Sequence, residues 1–278
     1  MKQRILAALT SAGAGSMRFR IDEHNANRAA FFSHSCFRHK KIAEAELIHS
    51  QEVRCADTIS RSGGPFINEQ IDGIITRSPS VLPVITVADC MPIFIYEPST
   101  SCIGVLHSGW KGTGIVLKAF EKAEKEYGAD ISNFRVILGP HIRSCCYTVD
   151  EDRARFFQNE FSSDCVCPAD DSCGMYRLSL EAANRALLKK AGIKDEHIFS
   201  AGECTCCTKN ACGNYTYGSF RRETADLPQS MSLEKKQRHF TPMAAFIGFE
   251  DTDFSLENLL KLQPALNIYT DFLFVPRL

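Results

Sequence analysis

Five short runs of aliphatic and β-branched residues constrain this chain most. They are VLPVITV at Val81–Val87, PIFIY at Pro92–Tyr96, CIGVLH at Cys102–His107, FRVIL at Phe134–Leu138 and MAAFI at Met243–Ile247. Each is apolar at nearly every position and so reads as a buried strand. Helical patterns fall between them. Ile115–Tyr127 carries Val116, Phe120, Ala123 and Tyr127 on one stripe, with Lys and Glu opposite. Leu180–Ala191 follows Ser179, a good N-cap residue, and stops at Gly192. Asp150–Phe161 is a weaker helical stretch. Strands and helices intermix, so the expected fold is α+β (mixed α/β): a single domain of mixed sheets flanked by helices.

With 278 residues the chain can bury a large core without covalent staples. Its net charge of −1 argues against nucleic acid as a partner, which a clustered basic excess usually betrays. No stretch approaches the roughly 20 apolar residues that a membrane span needs. The start, MKQRILAALTSAGAGSMRFR, has an apolar run too short and too broken for a secretory signal. The expectation is a cytoplasmic protein, monomeric or a homodimer, with no membrane partner. In that setting 13 cysteines read as reduced thiols, some of them on metal and most of them small buried hydrophobes. The turn-rich segment 61–73 reads as a loop.

Chemistry concentrates where two apolar strands meet polar turns. Cys90 ends one in TVADCMPIF, and His107 ends another in VLHSGWKGTG. His49 lies in LIHSQEV among apolar neighbours. Two imidazoles and a thiolate suit zinc, and three protein ligands leave a fourth position open. Asp89 could orient a ligand or act as a base; regular strand geometry would turn it to the opposite face, though a turn could change that. Two other readings use the same residues. One is a buried Cys with two hydrogen-bonded histidines. The other is a nucleophilic pair, with Cys90 attacking an acyl carbon and His107 as its base. Gly109, Gly112 and Gly114 permit tight turns before a helix, which could place free N–H groups and Lys111 at a helix N-terminus suited to an anion. An ordinary strand-to-helix turn would look the same.

Six motifs in order, IHSQEV, DGIIT, TVADCMPI, LHSGWKG, LGPHIRSCCYTV and YGSFRR, resemble those of the YfiH/DUF152 family across about Phe19 to Gly248. That family was long labelled multicopper polyphenol oxidase or laccase, and it includes members acting as purine nucleoside phosphorylases. The resemblance implies a zinc site at His49, Cys90 and His107, with copper as the older alternative. It implies phosphate or substrate contacts at Arg221 and Arg222, and at Lys111, which stands where the family has arginine. It implies small-molecule partners, namely purine nucleosides and phosphate: phosphorolysis of adenosine, inosine, guanosine and methylthioadenosine, with deamination of adenosine. On this reading Cys90, His107 and Asp89 are the catalytic candidates. The implied fold also resembles bacterial toxin deamidases with a Cys-His pair, which keeps a hydrolase in view. The expected division is an N-terminal segment over 1–18, a catalytic domain over 19–248 and an appended extension over 249–278. GPHIRSCCYTV departs from the family by carrying His141 and Arg143 and lacking a glycine.

Other cysteines leave alternatives open. Cys204, Cys206, Cys207 and Cys212 lie within nine residues and could hold a structural zinc, but adjacency of Cys206 and Cys207 strains joint ligation, which favours free thiols. Cys145 and Cys146 could line the site or simply pack. Trp110 could stack on a base or anchor the core.

Overall fold

The computed structural model describes residues 4–59, 69–169, 174–263, 265–270 and 273–275. Two six-stranded sheets dominate it. In the first, the strand order is β15 (Leu273–Val275), β14 (Leu266–Thr270), β1 (Ile5–Thr10), β13 (Met243–Phe249), β5 (Val81–Val87) and β2 (Lys41–Glu44). In the second it is β12 (Ile198–Ser200), β8 (Arg135–Leu138), β6 (Met91–Glu97), β7 (Cys102–Ser108), β4 (Gly73–Thr76) and β3 (Val53–Cys55). Most pairs are antiparallel, but β2 on β5, β3 on β4 and β12 on β8 are parallel. A small third sheet joins β10 (Val166–Pro168), β11 (Tyr176–Leu178) and β9 (Thr148–Val149).

The large sheets pack face to face. Ile5, Ala7 and Leu9 of β1 share one buried cluster with Ile103 and Val105 of β7. Strand side chains alternate, so the intervening residues cover the outer faces. Leu6 and Ala8 pack outward against Phe37, Phe254 and Leu259, in the layer formed by α1 (Ala26–Phe32) and α8 (Leu256–Leu260). On the far side, Ile93 and Leu106 meet Val116, Phe120 and Leu188, from α3 (Ile115–Tyr127) and α5 (Leu180–Lys190). The result is four layers, helix–sheet–sheet–helix. Central strands are therefore buried on both faces, which is why their sequences run apolar without alternation.

All five expected strands form, as do the three expected helices, the weaker one being α4 (Glu151–Glu160) with Asp150 as N-cap. Short α-helices also form at α2 (Ala56–Ile59), α6 (Phe220–Glu223) and α7 (Leu233–Lys236). Of the expected loop over 61–73, residues 61–68 lie outside the described residues and Gly73 already belongs to β4.

One expectation is overturned. The C-terminal residues do not pack as an appendage. β14 pairs with β1, and β1 pairs with β13, so β1 lies inside the first sheet and the β14–β15 hairpin continues that sheet to its edge. Lys40, its side chain almost wholly buried, ties the extension down by donating to the carbonyl of Phe249 and pairing with Asp251. Boundaries at 18 and 248 would fall within one sheet. Ile268 is fully buried in β14. Ile268→Ala is therefore expected to cost about 2–5 kcal/mol in urea unfolding; a cost below about 0.5 kcal/mol, typical of surface positions, would refute this integration.

Candidate metal centre and substrate cavity

The chain passes twice from the first sheet to the second at the same end of the sandwich. Residues 45–52 link β2 to β3, and Ala88–Cys90 link β5 to β6. His49 sits on the first crossover and Cys90 on the second. His107 continues the inward face of β7 beyond Ile103 and Val105, so it points into the mouth between the sheets. Side-chain donor atoms of His49, Cys90 and His107 all lie within 4.8 Å of one another. The two imidazole rings meet edge to face, with centroids 4.9 Å apart.

Backbone geometry at the crossovers is unusual in a consistent way. His49 (φ 61°) and Asp89 (φ 73°) both adopt left-handed conformations. His and Asp tolerate that region better than most residues, yet it still costs free energy and needs outside support. Asp72 supplies that support for His49. Its carboxylate is fully buried and accepts from the amides of His49 (2.9 Å) and Ser50 (2.6 Å) and from the Ser50 hydroxyl (2.7 Å). It also bonds Nδ1 of His107 at 2.8 Å. That bond orients the ring and leaves Nε2 for Cys90 or a metal. Gly109 lies across from Cys90, where a Cβ would fall 2.7 Å from its sulfur, so a larger residue there would displace the Cys90 side chain.

Electrostatics follow from this packing. Burial alone would raise the Cys90 thiol, but the charge and hydrogen bond of His107, and then those of His49, outweigh it and bring the pKa down to about 6. Burial would lower His107, but Cys90 and Asp72 raise it to about 10. Asp72 is likewise held below the usual carboxylate range: His107 and Ser50 overcome the burial that pushes it up. Two imidazoles and one readily ionised thiol, converging on one point and open to a cavity, can hold a metal ion through three ligands.

The cavity measures about 570 Å³, within the range of small-molecule sites. Lys111, Arg153 and Arg221 line it with Trp110, Tyr147 and Phe220. Arg221 is docked by Thr148, its Nη1 on the hydroxyl at 3.1 Å and its Nη2 on the carbonyl at 3.0 Å. Arg153 lies over the Trp110 ring at 4.3 Å and Lys111 near it at 5.3 Å. Trp110 thus both packs against the core and presents a face to the cavity.

Several expected roles change. Asp89 lines the cavity, but its carboxylate is buried and accepts from Thr205 (2.6 Å), Ser219 (3.0 Å) and the Arg221 amide (2.6 Å). Burial pushes its pKa up against those donors. It braces the crossover rather than contacting His107, whose carboxylate partner is Asp72. Arg222 points elsewhere, donating to the carbonyls of Thr205, Cys206 and Tyr217 and pairing with Glu223. The first turn of α3 does not line the cavity, so anion contacts there rest on side chains. Asp72 and Arg153 received no role from the sequence. Asp72 had a usable signal, a carboxylate directly before the apolar run GIIT, whereas Arg153 sits in an ordinary polar helix.

Fold and site together define a four-layer sandwich protein with an open thiolate–imidazole centre at one mouth. The chain belongs to the YfiH/DUF152 family: the family model described as multi-copper polyphenol oxidoreductase laccase matches residues 20–231. It is 34% identical over 172 residues to purine nucleoside phosphorylase YlmD of Geobacillus stearothermophilus, covering 58% of this chain and 62% of that one. It is 28% identical over 141 residues to adenosine deaminase RL5 from an unknown prokaryotic organism, covering 50% and 54%. In these alignments the chain spans less than two thirds of either relative's length. The crystal structure of YlmD from Geobacillus stearothermophilus superposes with a TM-score of 0.71 at 25% identity, covering 89% of this chain and 92% of that one.

In metal-stripped protein, Cys90 is expected to alkylate with a pH midpoint near 6, well below that of an ordinary thiol. Asp72→Asn removes one of the groups that, after Cys90, raise His107, so the midpoint should move up, and metal affinity should fall about 10–100-fold. An unchanged midpoint, measured by mass spectrometry across pH, would show that Asp72 does not set the pair's ionisation.

Proposed function

We propose that this chain is a zinc-dependent purine nucleoside enzyme that splits nucleosides with phosphate and deaminates adenosine. One observation carries the reading: the centre of His49, Cys90 and His107 opens onto a cavity that combines cationic side chains, Lys111, Arg153 and Arg221 among them, with aromatic ones that include Trp110, Tyr147 and Phe220. Relatives named as a purine nucleoside phosphorylase and an adenosine deaminase point the same way. A bound zinc would supply Lewis acidity at that point.

The remaining work falls to protein groups. In phosphorolysis a phosphate oxygen bonds C1′ of the ribose as the C1′–N9 bond breaks, and the departing purine takes up a proton. Arg221 is pre-oriented by Thr148 and keeps N–H groups free to grip a phosphate. Lys111 and Arg153 add positive charge to the same cavity. Tyr147, Trp110 and Phe220 offer apolar faces for base and sugar. In deamination, water replaces ammonia at C6 of adenine, and the same aromatic walls would hold the base.

The laccase description implies copper. Reduction of dioxygen to water by four electrons needs several copper ions, and imidazole is their usual ligand. Among the described residues, the other cluster of metal-capable side chains consists of four cysteines and no histidine. A multicopper reading therefore does not fit. A second reading does have an observation behind it. Cys90, His107 and Asp72 form a thiolate–imidazole–carboxylate chain, the arrangement of a cysteine hydrolase.

Zinc-loaded protein incubated with adenosine or inosine, with and without phosphate, separates these readings by product chromatography. Phosphate-dependent release of free base, lost on chelation and restored by zinc, is the expected result. Hydrolysis that survives chelation and is inhibited by zinc would favour the cysteine hydrolase instead. Arg221→Ala should lower kcat/KM for phosphate about 10–100-fold, the loss of one charge-assisted contact.

A further inference from the structure

A second group of thiols lies apart from the cavity. Sulfurs of Cys145, Cys146, Cys204 and Cys207 all fall within 4.8 Å of one another. Cys206 and Cys212 are outside this group, so the local run of cysteines after Glu203 is not what assembles it. Topology is. β8 and β12 run parallel, with Ser200 opposite Leu138, and the pairing resumes where His141 bridges Cys204. That register sets the turn following His141 beside the turn following Cys204.

Each turn then aims its sulfurs. On one side, the amides of Cys146 and Tyr147 both donate to the carbonyl of Arg143 at 2.9 Å. The backbone there coils as in a helix, so adjacent side chains diverge far less than on a strand, and Cys145 and Cys146 can face one point. On the other side, Cys204-Thr205-Cys206-Cys207 closes with the Thr208 amide on the Cys204 carbonyl at 3.0 Å. Cys204 Sγ, which is buried, accepts from the Arg143 amide at 3.4 Å. Amide donation to sulfur stabilises a thiolate without supplying a proton.

We propose that Cys145, Cys146, Cys204 and Cys207 hold a second zinc ion in a closed, structural tetrathiolate site. Zn–S bonds of about 2.3 Å put tetrahedral sulfur–sulfur edges near 3.8 Å, and Cys145 and Cys207 already stand 3.8 Å apart. Four thiolates leave a net charge of about −2 on such a site. Arginines surround it: Arg143 donates to the carbonyl of Gly202, Arg177 to that of Cys145, and Arg222 to those of Thr205 and Cys206. With four protein ligands no position stays open for substrate. The ion instead clamps two turns that support the first centre. Thr205, between two of the ligands, donates to Asp89 beside Cys90, and Arg222 adjoins Arg221 of the cavity wall.

The test is metal counting on the full chain prepared under reducing conditions, loaded with zinc, or with cobalt to read ligand type by colour. Wild-type protein should bind two equivalents, and Cys90→Ala one. Cys207→Ser should bind one, and Cys90→Ala with Cys207→Ser none. In Cys207→Ser the retained first equivalent reports a folded chain. Cobalt in Cys90→Ala should give the intense visible bands of a tetrahedral tetrathiolate, and Cys146→Ser should weaken them and shift them to shorter wavelength. One equivalent in both wild type and Cys207→Ser would overturn the proposal. So would a Cys145–Cys207 disulfide, found as a two-hydrogen mass deficit in reduced preparations of Cys90→Ala that take up no metal.

Discussion

A carboxylate with no exposed surface is expensive to bury unless every lone pair is used. Asp72 uses its own at the junction of three segments. The amides of His49 and Ser50 come from the first crossover, and the imidazole of His107 comes from β7. The backbone adds to this, because the amide of His107 donates to the carbonyl of Asp72 at 2.8 Å. One residue thereby holds a strained histidine in place, orients a second histidine and biases the charge of the Cys90–His107 pair. Without it His49 and His107 would lose their shared anchor, and the shift of His107 would rest on Cys90.

The sandwich explains why the centre lies where it does. A residue on a regular strand faces either the inter-sheet core or a helical layer, and both are filled. Segments that cross from one sheet to the other, together with the last inward residue of a strand such as His107 of β7, are the places where polar side chains can reach the mouth of the sandwich. Both crossovers bear a left-handed residue, His49 or Asp89, and each is paired to a hydrogen-bond acceptor or donor set that offsets the local strain. Asp89 is the counterpart of Asp72 on the second crossover: it gathers Thr205, Ser219 and the amide of Arg221. The cavity wall and the second thiol group are thus joined to the Cys90 turn through a single carboxylate.

Much of this was legible in the amino-acid sequence. Runs buried on both faces announce themselves by unbroken apolarity, so β5, β6, β7, β8 and β13 could be placed within a residue or two. The stripe on α3 and the Ser179 cap of α5 located those helices. Residue types at His49, Cys90 and His107, set in six ordered motifs, point to the metal-capable triad, and the structure sets Lys111 and Arg221 in the wall of the cavity beside it.

Other features depend on which distant segments meet. β1 was unreadable as a central strand because ILAALT gains its partners only from β13 and β14, more than two hundred residues away. Strand alternation does not reveal which carboxylate serves His107, because a left-handed turn sets where Asp89 points and Asp72 meets His107 instead. Arg221 and Arg222 are neighbours in the chain but face opposite tasks, one lining the cavity and one gripping backbone carbonyls. Likewise, Cys204 and Cys207 find Cys145 and Cys146 through the parallel register of β8 and β12, while nearer cysteines in the chain stay apart. Local pattern determines which residues are buried and which can bear chemistry. Side-chain direction at irregular turns and pairing across long loops arise only once the layers close, because both are fixed by contacts that no local segment contains.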